Sequence, residues 1–316
     1  MKHFTSVNDV AGVNQFVAEA LELKKHPFSH QELGKNKTIG LLFFNSSLRT
    51  RLSTQKAALN LGMNVIVMNI GSEGWALEMQ DGTVMDGNGV EHIKDAAAVL
   101  GLYCQIIAVR CFPALADREE DYSEKVLQSF IRYSGVPIVS MESAVLHPLQ
   151  SLADMMTISE ARDKEKPKVV LTWVPHIKTL PQVVANSFAE WTLKSGYDLT
   201  ITHPEGYELC SDFTKGATIE HDQQKALKEA DFVYVKNWSA YTDYGKILTT
   251  DPEWMLTQEK MKVTNQAKIM HCLPVRRNLE LADELLDGPN SLILQQAQNR
   301  EFAAQAVLKR IMETNF

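Results

Sequence analysis

Two successive series of short apolar runs, each run followed by a stretch of helical periodicity, limit what this chain can become. In the first series the runs are 37–44, 63–70, 104–112 and 137–141, with helical stretches near 48–61, 92–102 and 123–134. A helix over 148–163 then ends in the charged run Asp163-Lys164-Glu165-Lys166-Pro167, which reads as a join. The second series has runs at 168–174, 197–203, 231–236, 267–272 and 291–294. Its helices are expected over 180–194, 223–230 and 278–287, with a last amphipathic helix near 298–313. Strands alternating with helices are joined by crossovers, and crossovers make parallel sheets covered by helices. The expected fold is α/β, two doubly wound parallel-sheet domains with the active site in the cleft between them. The expected domains are residues 1–146, joined by the C-terminal helix 300–316, and residues 147–299. In such sheets ligands gather beyond the carboxyl ends of the strands.

Composition removes several functions. A net charge of -7 argues against a nucleic-acid binder, although a few clustered arginines can still hold a small anion. No apolar run approaches the length of a bilayer-spanning helix, and no cleavable leader is read at the start. Cys104, Cys111, Cys210 and Cys272 show no CxxC spacing. Neither a disulfide framework nor a cysteine zinc site is expected, and a cytoplasmic protein is the plain reading.

Three segments carry chemistry. In Phe43-Phe44-Asn45-Ser46-Ser47-Leu48-Arg49-Thr50-Arg51 a buried strand runs into a polar turn and a helix begins at once. The first turn of a helix offers unpaired N–H groups and a positive dipole end, which favour an anion. Ser47 and Thr50 add hydroxyls, and Arg49 can add a bidentate contact to phosphate oxygens. A capped helix with a solvated basic turn is the plain alternative, but basic residues there oppose the dipole and point to a bound anion. In His147-Pro148-Leu149-Gln150, Pro takes an early helical position, His147 can donate to a carbonyl oxygen and Gln150 can accept from an amide. Arg110 ends the run CQIIAVR, on the ligand edge of the first sheet. The third segment is His271-Cys272-Leu273-Pro274. Apart from these, residues 71–91 contain five glycines and no period, a loop length that is uncommon unless functional.

The S-x-R-T-R turn, the H-P-x-Q segment and the H-C-L-P segment, in that order, resemble the signatures of the aspartate and ornithine carbamoyltransferases. The resemblance implies that carbamoyl phosphate binds Ser47, Leu48, Arg49, Thr50, Arg110, His147, Gln150, Cys272, Leu273 and Arg300. Trp75, on the glycine-rich loop, would reach the site of a neighbouring subunit in a trimer. Thr50, Arg110 and His147 would be the catalytic residues, polarising the carbonyl oxygen. Transfer in this family is direct, so Cys272 is read as pocket lining and not as a nucleophile. Arg300 matches an E-N-R segment whose glutamate is Gln298 here. No metal and no organic cofactor are implied.

The stretch Val235-Lys236-Asn237-Trp238-Ser239-Ala240-Tyr241 lacks the D-x-x-x-S-M-G segment that holds the free amino acid in ordinary ornithine enzymes. Its K-x-W pattern is similar to that of the N-acetylornithine and N-succinylornithine carbamoyltransferases. That likeness implies that Glu142 faces the acylated amino acid and Lys236 its α-carboxylate. A succinyl tail would bring a second carboxylate, which needs a cation; His176 and Arg276 are available. Acetyl enzymes present a glutamate from the long loop, where Val90 stands here. The expected activity is therefore carbamoyl transfer to N-succinylornithine in arginine biosynthesis, with N-acetylornithine as the alternative and a non-catalytic binding paralogue behind both. A nicotinamide-dependent dehydrogenase is disfavoured, because the turn Pro175-His176-Ile177-Lys178-Thr179 has no G-x-G-x-x-G.

Overall fold

Thr38–Phe43 carries an unbroken apolar run, and every residue after the first is buried, as befits a parallel strand covered on both faces. It is β1 of a computed structural model that describes residues 1–316. The helix α1 (Val13–Lys25) precedes it, followed by α2 (Arg49–Asn60), β2 (Asn64–Asn69), β3 (Leu77–Glu78) and β4 (Glu91–His92). Then come α3 (Ile93–Tyr103), β5 (Ile106–Arg110), α4 (Arg118–Tyr122), α5 (Lys125–Tyr133) and β6 (Ile138–Glu142). The first sheet is parallel in the order β2-β1-β5-β6. From β1 the chain goes first to β2 on one side and later to β5 on the other. Adjacent connections leaving in opposite directions open a crevice at the carboxyl ends of β1 and β5. Leu42, Ile107, Val109, Phe130 and Ile138 form the core beneath it.

After α6 (Pro148–Ala161) the pattern begins again with β7 (Lys168–Trp173), α7 (Val183–Lys194), β8 (Asp198–Thr202), α8 (Ser211–Thr214) and β9 (Thr218–Glu220). It continues through α9 (Gln223–Leu227), β10 (Phe232–Lys236), α10 (Gln258–Met261), β11 (Lys268–Met270) and α11 (Asp283–Leu286) to α12 (Ile293–Asn315). The second sheet is parallel in the order β11-β10-β7-β8-β9, so its crevice lies at the carboxyl ends of β7 and β10. Val170, Val233, Val235, Ile269 and Leu281 belong to its core.

The chain divides into two compact units, residues 1–149 with 300–316 and residues 150–299. The first two residues of α6 belong to the first unit and the rest to the second, and α12 runs from the second unit back into the first. Asp163–Pro167 lies inside the second unit and is not a join. The expected strand 291–294 is absent. Ser291 makes one bridge to Ile269 and α12 begins at Ile293, because four apolar residues read equally well as a strand or a buried first turn. The helix expected over 278–287 shrinks to Asp283–Leu286, since Asn278 takes φ 59° and its Oδ1 accepts the N–H of Asp283. β9, three residues long, escaped the periodicity. No helix is long and apolar enough to cross a membrane.

Candidate active site

In the first unit, α2 starts at Arg49 with Leu48 in the capping position, and Ser47 Oγ accepts the N–H of Thr50 at 3.2 Å. The turn presents Thr50 to the crevice. Arg110 Nη1, at the end of β5, reaches Thr50 Oγ1 at 3.4 Å. Arg300 Nη2, on α12 and 250 residues away in sequence, donates to the same hydroxyl at 2.6 Å. Arg110 is also paired with Glu142 at the end of β6, and His147 Nε2 lies 3.4 Å from Glu142 Oε2. Thr50, Arg110, Glu142, His147 and Arg300 are all buried. Arg51 is turned elsewhere, with its guanidinium 4.7 Å from the centre of the Phe43 ring and hydrogen bonded to Asn69.

This cluster is strongly cationic for its depth. Burial, reinforced by the charges of Arg300 and Arg110, holds His147 well below its ordinary pKa. Glu142 does not offset this, because its carboxylate is engaged by Arg110. His147 is therefore a neutral imidazole near pH 7, able to donate one N–H without adding charge. Arg110 Nε and His147 Nδ1 are buried without a hydrogen-bond partner, which is uncommon for polar atoms inside a protein. Glu142, expected to face the acylated amino acid, also neutralises part of the Arg110 guanidinium charge.

Trp75 and Val90 both lie on the segment between β2 and α3. The N–H of Val90 donates to Ala76 O at 2.9 Å, and Trp75 Nε1 donates to Glu91 Oε2 at 2.5 Å. The pairing of β3 with β4 aligns both turns, and both side chains remain more than half exposed.

In the second unit, Gln150 Nε2 donates to the buried Asp154 Oδ1 at 2.7 Å, and Gln296 Nε2 donates to the same oxygen at 2.7 Å. Asp154 thereby fixes the orientation of the buried Gln150 amide. Cys272 and Leu273 form a tight turn after β11. Leu273 has φ 57°, its peptide bond to Pro274 is cis, and its N–H donates to His271 Nδ1 at 2.9 Å. A leucine in left-handed geometry is strained, and such residues concentrate at binding sites. Around β7 and β10 a different group assembles. Arg276 Nε donates to His176 Nε2 at 3.0 Å, and the buried Glu280 Oε2 accepts the N–H of Arg276 at 2.9 Å. His271 Nε2 lies 3.4 Å from Glu280 Oε2. Burial pushes the Glu280 carboxyl up. The hydrogen bond from His271 and the charges of His271 and Lys236 outweigh it and hold the group below its usual range.

Comparison with known proteins decides what this arrangement belongs to. The family model described as aspartate/ornithine carbamoyltransferase, carbamoyl-P binding domain, matches residues 2–160. The Asp/Orn binding domain of that family matches residues 181–311. The chain belongs to the aspartate/ornithine carbamoyltransferase family. It is 53% identical over 315 residues to the N-succinylornithine carbamoyltransferase of Bacteroides thetaiotaomicron, covering 99% of each chain. It is 35% identical over 332 residues to the N-acetylornithine carbamoyltransferase of Xanthomonas axonopodis pv. citri, covering 98% of this chain and 96% of the other. The crystal structure of a glutamate-to-valine mutant of N-acetyl-L-ornithine transcarbamylase, complexed with carbamyl phosphate and N-succinyl-L-norvaline, matches with a TM-score of 0.92. It is 34% identical and covers 98% of this chain and 100% of that one.

For this carbamoyltransferase, sequence reasoning missed Glu280 and Asp154. Neither stands in a recognisable motif, and a lone acid within a helical or loop stretch reads as solvated surface. Their importance follows from burial, which forces each carboxylate to find cationic or amide partners.

Proposed function

We propose that this carbamoyltransferase moves the carbamoyl group of carbamoyl phosphate to the δ-amine of N-succinyl-L-ornithine, giving N-succinyl-L-citrulline and phosphate in arginine biosynthesis. One observation carries the reaction: Arg110 and Arg300 both reach the Thr50 hydroxyl at the start of α2, beside a neutral His147. Ser47, the Leu48 N–H, Arg49, Thr50 and Arg300 take the phosphate, where the N–H groups of the α2 terminus face an anion. Arg110, Thr50 and His147 point donors at the carbonyl oxygen, and the unpartnered buried Arg110 Nε suits that role. The δ-nitrogen lone pair attacks the carbonyl carbon, and the bond from that carbon to the phosphate oxygen breaks. The amine proton leaves with phosphate. Negative charge that grows on the carbonyl oxygen meets preorganised donors, usually the largest single contribution to such catalysis. Gln150 and the carbonyls of Cys272 and Leu273 hold the carbamoyl NH₂.

The acyl choice rests on charge. Lys236 takes the α-carboxylate, and Arg276 with His176 takes the succinyl carboxylate, which would be costly to bury unpaired. Val90 presents no acid to repel it, and the mutant relative bound to N-succinyl-L-norvaline has likewise lost a glutamate. Trp75 and Val90 act from a neighbouring chain in a cytoplasmic homotrimer. N-acetylornithine is the second reading, favoured by the absence of any buried cation reserved for the tail, since Arg276 is exposed. Incubation with carbamoyl phosphate and ornithine, N-acetylornithine or N-succinylornithine, with phosphate and citrulline products measured, tests the assignment. Highest kcat/KM on the succinylated acceptor supports it. Preference for the acetylated one reverses the acyl choice, and turnover of none removes the enzymatic reading.

A further inference from the structure

We propose that the second unit carries a divalent-cation site of the zinc class built from His203, Glu208 and His221. β8 and β9 run side by side with Thr202 beside Glu220, and each strand is followed at once by a histidine. The two rings meet edge to face with centroids 5.0 Å apart. His203 Nδ1 lies 2.8 Å from the Pro204 carbonyl oxygen, and His221 Nδ1 lies 3.0 Å from the carbonyl oxygen of His203. A carbonyl oxygen can only accept, so in each ring Nδ1 carries the proton and Nε2 presents a lone pair. Metal-binding imidazoles are held in the same way, one nitrogen on a backbone acceptor and the other on the ion. Glu208 completes the group, and one ligating atom from each of the three residues lies within 4.8 Å of the other two.

The burial of His203 is a separate pointer. The residue is 1% exposed, and its Nε2 has no hydrogen-bond partner. A buried lone pair left without a donor is costly, and such a group calls for an explanation. A cation supplies one. A tetrahedral ion with bonds of about 2 Å holds its ligand atoms about 3.4 Å apart. Glu208 and His221 are exposed and can draw in toward the fixed His203. Two imidazoles and one carboxylate select Zn²⁺ and its transition-metal neighbours over Mg²⁺ or Ca²⁺, which prefer oxygen. The bound ion would tie down the turn containing Tyr207. That carbonyl accepts Trp238 Nε1 at 2.8 Å, and the Tyr207 hydroxyl accepts the N–H groups of Leu248 and Thr249 at 2.7 and 3.0 Å. Its effect is therefore on stability, since no step of carbamoyl transfer uses it. The cluster uses no cysteine, and its histidines stand 18 residues apart, outside any short-range ligand spacing.

The untagged full-length protein, stripped of metal, is titrated calorimetrically with Zn²⁺. One equivalent should bind with a Kd of about 1 μM or tighter, corresponding to a useful fraction of the affinity of dedicated sites, and raise the melting temperature. Co²⁺ should give the visible absorption of a four-coordinate ion. His221→Ala and Glu208→Ala, both at exposed positions, should each weaken binding at least about tenfold while the circular dichroism stays unchanged. Absence of stoichiometric binding, or a titration that neither substitution alters, overturns the site.

Discussion

At the start of α2, guanidinium groups and a neutral imidazole surround one hydroxyl, and a single carboxylate, Glu142, partly balances them. Beyond β10 and β11 the order is inverted: a buried carboxylate, Glu280, sits at the centre and Arg276, His176, His271 and Lys236 lie around it. The first cluster is deep, and its donors are anchored at strand ends or helix termini. In the second, Arg276 is exposed and free to exchange partners at its tip. A small dianion of fixed shape suits the first. The second suits a substrate whose tail differs among relatives, because exposed cations can be replaced without leaving a charge buried and unpaired.

The sharpest way to break this contrast is Arg110→Met. It should lower kcat by about a thousandfold, the upper range for losing a preorganised donor, with phosphate release as the measurement. A loss of less than tenfold would move the carbonyl-oxygen role elsewhere. His147→Asn should cost about a hundredfold in kcat, because only one neutral donor is altered. It also carries a pH signature in stability. The folded imidazole is held well below 6.5, whereas the unfolded one titrates near it. The unfolded chain therefore binds more protons as pH falls below 6.5, and stability is lost in that direction. Urea midpoints at pH 7 and pH 5 should differ less in His147→Asn than in the parent; an equal difference would show that the ring titrates normally.

In the second cluster the effects should be smaller and fall on binding. Arg276→Ala should raise KM for N-succinylornithine about tenfold to thirtyfold, the worth of one charge-assisted hydrogen bond, with kcat little changed. An equal rise for the acetylated acceptor would detach Arg276 from the succinyl tail. Val90→Glu should have the least effect, lowering kcat/KM for the succinylated acceptor severalfold relative to the acetylated one through repulsion screened by solvent. An unchanged ratio would remove Val90 from the acyl site.

Much of this was legible in the chain. Apolar runs of five or six residues separated by helical periods define buried parallel strands, and the turn after β1 announced an anion through arginine placed against a helix dipole. Short elements were not legible. SLIL at 291–294 became a bridge and a helix start, and β9 passed unseen, because periodicity needs several residues before it separates strand from helix.

The sequence by itself determined the α/β class, the order of the elements and the family signatures, since these rest on local spacing and residue type. Only the tertiary structure decided that Arg300 lies on Thr50, that Glu142 pairs with Arg110, that Asp154 orients Gln150 and that Glu280 organises His271 and Arg276. The physical reason is burial. A charged or amide group removed from water must be matched by whatever neighbour the fold delivers, and those neighbours stand up to 250 residues away.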